Sequence, residues 1–452
     1  MRAQDVRLEP QLIERLRERS TELIRHADLW TGEVVAAPAE RAALERLADR
    51  LANTYPYGDA RYVGQILKPP HPVAWAAYAT TMLLNPNNHA LDGGPATAAL
   101  EKEAVAQVAE MFGYPAHLGH LTSSGTLANL EALWIARELH PGKVVLSSEA
   151  AHYTHSRMCA IIGAPHEKVA QDAFGRLDVV ALEDRLVRGD VGTVVATLGT
   201  TGMGALDPVH LIADLCEKYG VRLHVDGAYG GFHTLLAADP ALVDPAPFRA
   251  LPRADSIVVD PHKHGLQPYG CGCVVFRDPS VGQLYSHDSP YTYFTSDDLH
   301  LGEISIECSR AGASAAAFWT TLQALPLTRS GLGAGLAEQR EATLRITASL
   351  RASTVLDVAV TPDLDIVCPF PRAATTSEVS RLSQAVFDAA AQEGWHLAEL
   401  RVSSRWLARQ HPDLTVDSED TVILRCCVMK PEHAQVADAF VATLERAASS
   451  AV

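Results

Sequence analysis

The segment IVVDPHKHG, Ile257 to Gly265, sets a single lysine among two histidines and an aspartate, directly behind an apolar β-branched run. IVVD reads as a strand, and PHKHG leaves it at the carboxyl edge of a sheet, where open α/β sheets bind ligands. A lysine in that place can form an imine with an aldehyde, although a lone lysine is more often a solvated surface cation. A metal reading would take Asp260, His262 and His264 as alternate ligands along an extended strand. Lys263 would then put a cation beside the ion, and no further ligand is sequence-adjacent, so no metal is expected there and Asp260 reads as a turn residue.

Other stretches carry compatible groups. TSSGTLAN, Thr122 to Asn129, places small hydroxyls and one glycine immediately before a helix. Its exposed N–H groups and positive dipole end can hold a phosphate, with Ser124, Gly125 and Thr126 as contacts; the same residue types also cap helices that bind nothing. In RLHVDGAYGGF, Asp226 ends a buried strand, where a carboxylate needs a partner such as a protonated ring nitrogen, unless it is a plain turn aspartate before Gly227. SSEAAHYTH supplies His152, and GTTGMGALDP follows. These groups and Lys263 all fall at the ends of apolar runs, in an order that assembles the parts needed for pyridoxal phosphate. The phosphate would lie at a helix start, the ring above a carboxylate and the aldehyde on the lysine. GLGAG, Gly331 to Gly335, lacks both the third glycine and the preceding strand of a dinucleotide fingerprint, and reads as a loop opening a helix.

The elements that must position these groups follow from periodicity. KVVLSS, TVVATL, RLHVD, SIVVD and CGCVVF are five candidate strands whose fully apolar, β-branched character suits cover on both faces. Helices such as HLIADLCEKYG between them predict right-handed crossovers in a mostly parallel sheet, an α/β architecture with helices on both faces. Pro10 to Tyr57 has helical spacing, while ILKPPHPVAWAAY and NPNNHALDGG read as irregular connections. After Gly312 long helices lead to a smaller α+β unit. The expected division is a helical arm and pocket segment over 1–90, a large cofactor-binding domain over 91–330 and the small domain over 331–452.

A formal charge of -16 repels phosphate backbones and anionic lipid, and no basic patch intervenes, so neither nucleic acid nor membrane is an expected partner. No apolar run is long enough to span a bilayer and the first twenty residues lack the apolar core of a signal peptide, so a cytoplasmic protein is expected. The eight cysteines have no CxxC spacing and read as buried thiols.

From Tyr57 to Leu327, and more loosely beyond, the sequence resembles the pyridoxal-phosphate-dependent group II amino-acid decarboxylases, the family of the aromatic-amino-acid, tyrosine, histidine and glutamate decarboxylases. The resemblance implies the type I (aspartate-aminotransferase-like) fold. DPHKHG is similar to the family's N/D-P-H-K element, which makes Lys263 the Schiff-base lysine, with His262 near the phosphate. HVDGAYGG resembles HVDAAY and implies that Asp226 pairs with the pyridine nitrogen and Ala228 lies against the ring. ATLGTTGMGALDP points to Thr201 near the cofactor, AHYTH to His152 as the ring-stacking histidine, and SGTLAN to the phosphate loop. A proton donor on a mobile loop is expected at Tyr291, or else Tyr293, in YSHDSPYTYFTSDD. Arg425 resembles an arginine that some members use on the substrate carboxylate, with Arg310 the competing clamp or an ion-pairing residue. His71-Pro72 resembles a substrate-pocket strand, and Asn85, Asn87, Asn88 and His89 would make that pocket polar. His155 is off the family's pattern and reads as structural; His264 stands where aromatic decarboxylases generally carry a larger apolar residue. The implied activity is decarboxylation of an L-amino acid by a homodimer with shared sites, the loop around Tyr291 of the partner subunit included. Oxidative deamination, carbon-carbon or carbon-sulfur lysis and transamination use the same cofactor motifs and stay open, and a non-catalytic cofactor-binding protein is the remaining alternative.

Overall fold

Seven strands form the central sheet of the computed structural model, which describes residues 38–89, 93–285 and 305–451. They are β1 (Leu118–Thr122), β2 (Val144–Ser148), β3 (His166–Val169), β4 (Val191–Thr197), β5 (Arg222–Asp226), β6 (Ser256–Val259) and β7 (Gly272–Phe276), in the order β1-β7-β6-β5-β4-β2-β3. The pairs from β3 through β2, β4 and β5 to β6 are parallel; β7 runs antiparallel to both β6 and β1. All five predicted runs are strands of this sheet. Two strands escaped prediction: β1, because it was merged with the loop that follows it, and β3, because HEKV is charged and lies at the sheet edge.

Every residue of β4 is buried, which is why its sequence is continuously apolar or small rather than alternating. Helices Gly125–Leu139, Thr154–Ile162, Val179–Leu186 and Val209–Tyr219 connect the parallel strands. Each returns the chain to the amino edge, so the loops that leave β2, β4, β5 and β6 collect on the carboxyl edge.

The C-terminal part is α+β. β8 (Leu356–Val358) pairs with β10 (Pro369–Pro371), and β12 (Asp420–Cys427) lies between β11 (Ala398–Ser403) and β9 (Ile366–Val367), all antiparallel. Helices Thr376–Gln392 and His433–Ala451 cover them. The long helix Leu332–Ala352 ties this part to the sheet: Leu336 packs in the central core, Ile346 and Leu350 in the C-terminal one.

One connection was misread. Pro72–Met82 is an α-helix, because Pro72 occupies its first turn, where a missing N–H costs nothing, and His71 caps it by accepting the Val73 N–H at Nδ1, 3.3 Å away.

Two fully enclosed histidines give the fold a pH dependence. His224 on β5 lies between Ser256 Oγ at 2.9 Å and Asn129 Oδ1 at 2.8 Å. Burial pushes its pKa from 6.5 down to about 3, and that of His433 down to about 3 as well. Between those values the unfolded chain binds more protons, so their contribution is complete above pH 6.5 and is lost as the pH falls toward 3. Urea midpoints measured at pH 6.5 and pH 5 should show a loss of roughly 1.5 kcal/mol per histidine. His224→Gln should lose correspondingly less than the parent chain over the same interval.

Candidate active site

A cavity of about 400 Å³ opens at the carboxyl edge of the sheet, a size suited to a small organic ligand. Thr197 reaches it from the end of β4, Asp226 from β5, and Asp260, His262 and Lys263 from the turn after β6. Ser124, Gly125 and Thr126 arrive from the start of helix Gly125–Leu139, His152 from the loop after β2, and Thr201, Ala228 and Arg425 complete the predicted set.

Ser124 is the cap of that helix, accepting the Leu127 N–H at 3.3 Å, and Thr126 Oγ1 lies 3.3 Å from Thr154 Oγ1. Gly125 is required by contact: a Cβ there would sit 2.6 Å from the Asp260 carboxylate. The helix therefore presents its first N–H groups and dipole to the cavity without a side chain in front of them.

Asp226 accepts from His155 Nε2 at 2.9 Å on one oxygen and from the Ala228 N–H at 3.1 Å on the other. Burial works against its charge, but the His155 hydrogen bond, the positive charge of Lys263 and the Ala228 N–H together hold its pKa below the ordinary carboxylate range. Burial pushes His152 and His262 below the usual imidazole value, which favours neutral rings at neutral pH. Lys263 Nζ pairs with Asp260 Oδ2 at 2.9 Å, with 23% of the lysine side chain still exposed and so accessible from the cavity.

Arg425 projects from β12, donating to the Thr201 carbonyl at 2.7 Å and to those of Gly202 and Gly64 at 3.1 and 3.3 Å. Arg310 is elsewhere. It pairs with buried Glu101 at 2.6 Å, beside Asn88, which donates to the same carboxylate at 2.6 Å. That answers the choice left open for Arg310 in favour of an ion pair, and it turns the asparagine-rich segment from pocket lining into a structural knot. His71 is likewise absent from the cavity wall, since its ring is spent on capping helix Pro72–Met82. Tyr291 and Tyr293 lie outside the described residues.

The three alternate residues Asp260, His262 and His264 do not share a site. Asp260 and His262 face the cavity, whereas His264 is 1% exposed on the other side of the turn, packed on Tyr229 and His233. Sequence reading missed Thr197 and Tyr229 on the wall, and two charged or titratable residues beside them. Asp260 ends an apolar run just as Asp226 does, a signal that was available. His155 follows His152 by three residues, yet nothing local shows that its ring reaches Asp226, 71 positions away.

Residues 74–369 match the pyridoxal-dependent decarboxylase conserved domain. The chain belongs to the pyridoxal-dependent decarboxylase family. A probable L-tyrosine/L-aspartate decarboxylase of Methanothermobacter thermautotrophicus is 30% identical over 269 residues, 59% of this chain and 72% of that protein. The L-tyrosine decarboxylase of Enterococcus faecium is 30% identical over 406 residues, and the match spans 67% of this chain and 66% of that longer protein. The structure of mouse CSAD superimposes with a TM-score of 0.79 over 99% of this chain and 94% of its own, at 20% identity, which shows a common fold. That is the type I fold, and membership makes the chain a carboxy-lyase with pyridoxal 5'-phosphate as cofactor.

The cavity fits that cofactor. Thr197 Oγ1, Asp260 Oδ1 and His262 Nδ1 are buried polar atoms of its lining residues without a hydrogen-bond partner among the described residues, as expected of a wall built to meet a polar ligand. The helix start suits a phosphate, the ionised Asp226 a protonated ring nitrogen and the Lys263 amine an aldehyde.

His155 owes its place to Asp226. His155→Leu should leave that carboxylate buried with only the Ala228 N–H, raise its pKa and move the acidic limb of kcat/KM to higher pH by about one unit for a penalty near 1.4 kcal/mol. His155→Gln, which keeps an N–H donor, should restore most of the profile. An unshifted acidic limb in the leucine variant would show that the histidine only packs.

Proposed function

We propose that this protein decarboxylates an L-amino acid to the corresponding amine and carbon dioxide, in a cytoplasmic homodimer. The observation that carries the reading is the convergence of Lys263, ionised Asp226 and the Ser124–Thr126 helix start on one cavity. Bound there, pyridoxal phosphate supplies an electron sink for the pair released when a bond to the substrate α-carbon breaks.

The protein's own groups do the rest. Lys263 would hold the cofactor through its aldehyde and offers the amine that the substrate's own amine replaces. Asp226, held ionised, would pair with a protonated ring nitrogen and so favour negative charge developing at the α-carbon in a dry site. Ser124, Gly125 and Thr126 would hold the phosphate, with His262 beside it and Thr201 near the cofactor, while His152 and Ala228 would flank the ring. Arg425 retains N–H groups on its terminal nitrogens beyond those given to carbonyls, and these suit a substrate carboxylate bidentately. Tyr291 is the proposed donor of the proton that replaces carbon dioxide.

Several features support the setting. Helix Pro38–Leu51 buries none of its residues and leaves Leu44, Leu47 and Leu51 exposed, as are Trp75 and Met82 on helix Pro72–Met82. Such apolar faces suit a second subunit, and light scattering should return twice the chain mass. All eight cysteines are unpaired, seven of them buried, which suits a reducing compartment. No helix among the described residues is long and apolar enough to cross a membrane.

The deciding experiment incubates the cofactor-loaded protein with a panel of L-amino acids, with and without oxygen, and identifies products by mass spectrometry alongside released carbon dioxide. Amine and carbon dioxide in equal amounts, independent of oxygen, are expected. Aldehyde formation with oxygen consumption would overturn the assignment in favour of oxidative deamination.

A further inference from the structure

Directly behind the Lys263 turn, three side chains from distant parts of the chain meet. His233 belongs to the short 3-10 helix Gly231–Leu236, His264 follows Lys263, and Asp365 immediately precedes β9. All three are no more than 1% exposed. His264 Nε2 lies 3.4 Å from Asp365 Oδ2, and His233 Nε2 lies 3.9 Å from the same oxygen. None of these atoms, nor His233 Nδ1, has a hydrogen-bond partner among the described residues. A buried polar atom left unpaired costs about 1–3 kcal/mol, so the three that converge, His233 Nε2, His264 Nε2 and Asp365 Oδ2, call for a shared partner.

We propose that His233, His264 and Asp365 bind a first-row divalent transition-metal ion of the Zn2+ class. The separations discriminate between an ion and a bridging water. With ligand bonds of about 2.1 Å, two donor atoms as far apart as His264 Nε2 and Asp365 Oδ2 subtend about 108°, the tetrahedral angle, and the wider His233 pair about 136°. A water hydrogen-bonded at about 2.8 Å would need its partners roughly 4.6 Å apart for the same angle. The 3.4 and 3.9 Å separations are tighter than a bridging water at that angle would leave, and both fall inside the roughly 4.2 Å that two such ligand bonds can span; the three residues group one ligand atom each within 4.8 Å of one another, and a bound ion would draw every pair inside that span. Two nitrogens and a carboxylate oxygen are a donor set for zinc, cobalt or ferrous iron rather than calcium.

The surroundings hold the ligands in place, as outer partners do in metal centres. Tyr229, whose ring lines the cofactor cavity, donates its hydroxyl to Asp365 Oδ1 at 2.5 Å. His264 Nδ1 lies 3.5 Å from Lys68 Nζ. Arg340 and Lys263 also act on these histidines, but Lys68 is the cation in direct contact with His264, so its replacement by methionine should tighten binding. The ion would join the turn carrying the catalytic lysine to the C-terminal part of the chain, through Asp365.

The test uses the cofactor-loaded protein, dialysed against chelator and then freed of it. Titration with Co2+ followed by desalting should leave one equivalent per chain by mass spectrometry, with the visible absorption of tetrahedral cobalt, and Zn2+ should bleach it. His233→Phe and His264→Leu should each weaken uptake by more than about tenfold, the scale already reached when outer partners are lost. Far-UV circular dichroism and gel-filtration elution establish that each variant folds; should one fail, the other variant and the wild-type stoichiometry decide. Retention of less than about a tenth of an equivalent by the parent protein, or uptake unchanged in both folded histidine variants, would overturn the proposal.

Discussion

Lys263→Ala is expected to abolish turnover, lowering kcat by about 10^4-fold or more, and to leave no site that borohydride can label with cofactor. The residue is the one amine on the cavity wall among the described residues, held 2.9 Å from Asp260 Oδ2. Alanine removes both the covalent hold on the aldehyde and a group able to move protons at the substrate α-carbon; proton transfer by a positioned side chain is itself worth 10^2–10^4, roughly, and the lost covalent step multiplies that figure. The variant should still bind pyridoxal phosphate, because the Ser124–Thr126 helix start and Asp226 remain. A peptide map after borohydride reduction checks the first half: label on Lys263 in the parent chain and on no peptide of the variant. Persistent labelling of the variant would place the reactive amine elsewhere.

Asp226→Ala should be the next most damaging change, with kcat down by about 10^2–10^3-fold, or some 2.7–4 kcal/mol of transition-state stabilisation. Its carboxylate is enclosed yet held ionised by His155, Lys263 and the Ala228 N–H, and such a charge acts at full strength where water is excluded. The loss should fall on kcat rather than KM, since the charge it answers develops only as the bond breaks. Asp226→Asn tests the charge alone, because asparagine fills the same space and can accept from His155. Near-normal kcat in the asparagine variant would remove Asp226 from the chemistry.

Legibility followed the range of the interactions. Lys263, Asp226, His152 and the Ser124–Thr126 loop could be found because each ends an apolar run, and parallel topology sends those ends to one edge. Helix Pro72–Met82 was missed because its Pro-rich entrance looks like a loop unless the capping geometry of His71 is seen. The polar segment around Asn88 is compatible in sequence with pocket lining or with loop turns, and only the fold shows its amide committed to Glu101.

The residue string by itself determined the α/β alternation, the cofactor and a set of residues that the fold gathers on one cavity, because strand ends and helix starts are local consequences of side-chain periodicity and capping. It also located Arg425 in the wall through resemblance. Only the tertiary structure decided which histidine serves Asp226, which arginine is locked away with Glu101, and that His264 turns from the cavity toward His233 and Asp365. Those contacts join residues tens to hundreds of positions apart, and their partners are selected by packing and by the cost of burying an unpaired polar group, neither of which leaves a periodic trace in the sequence.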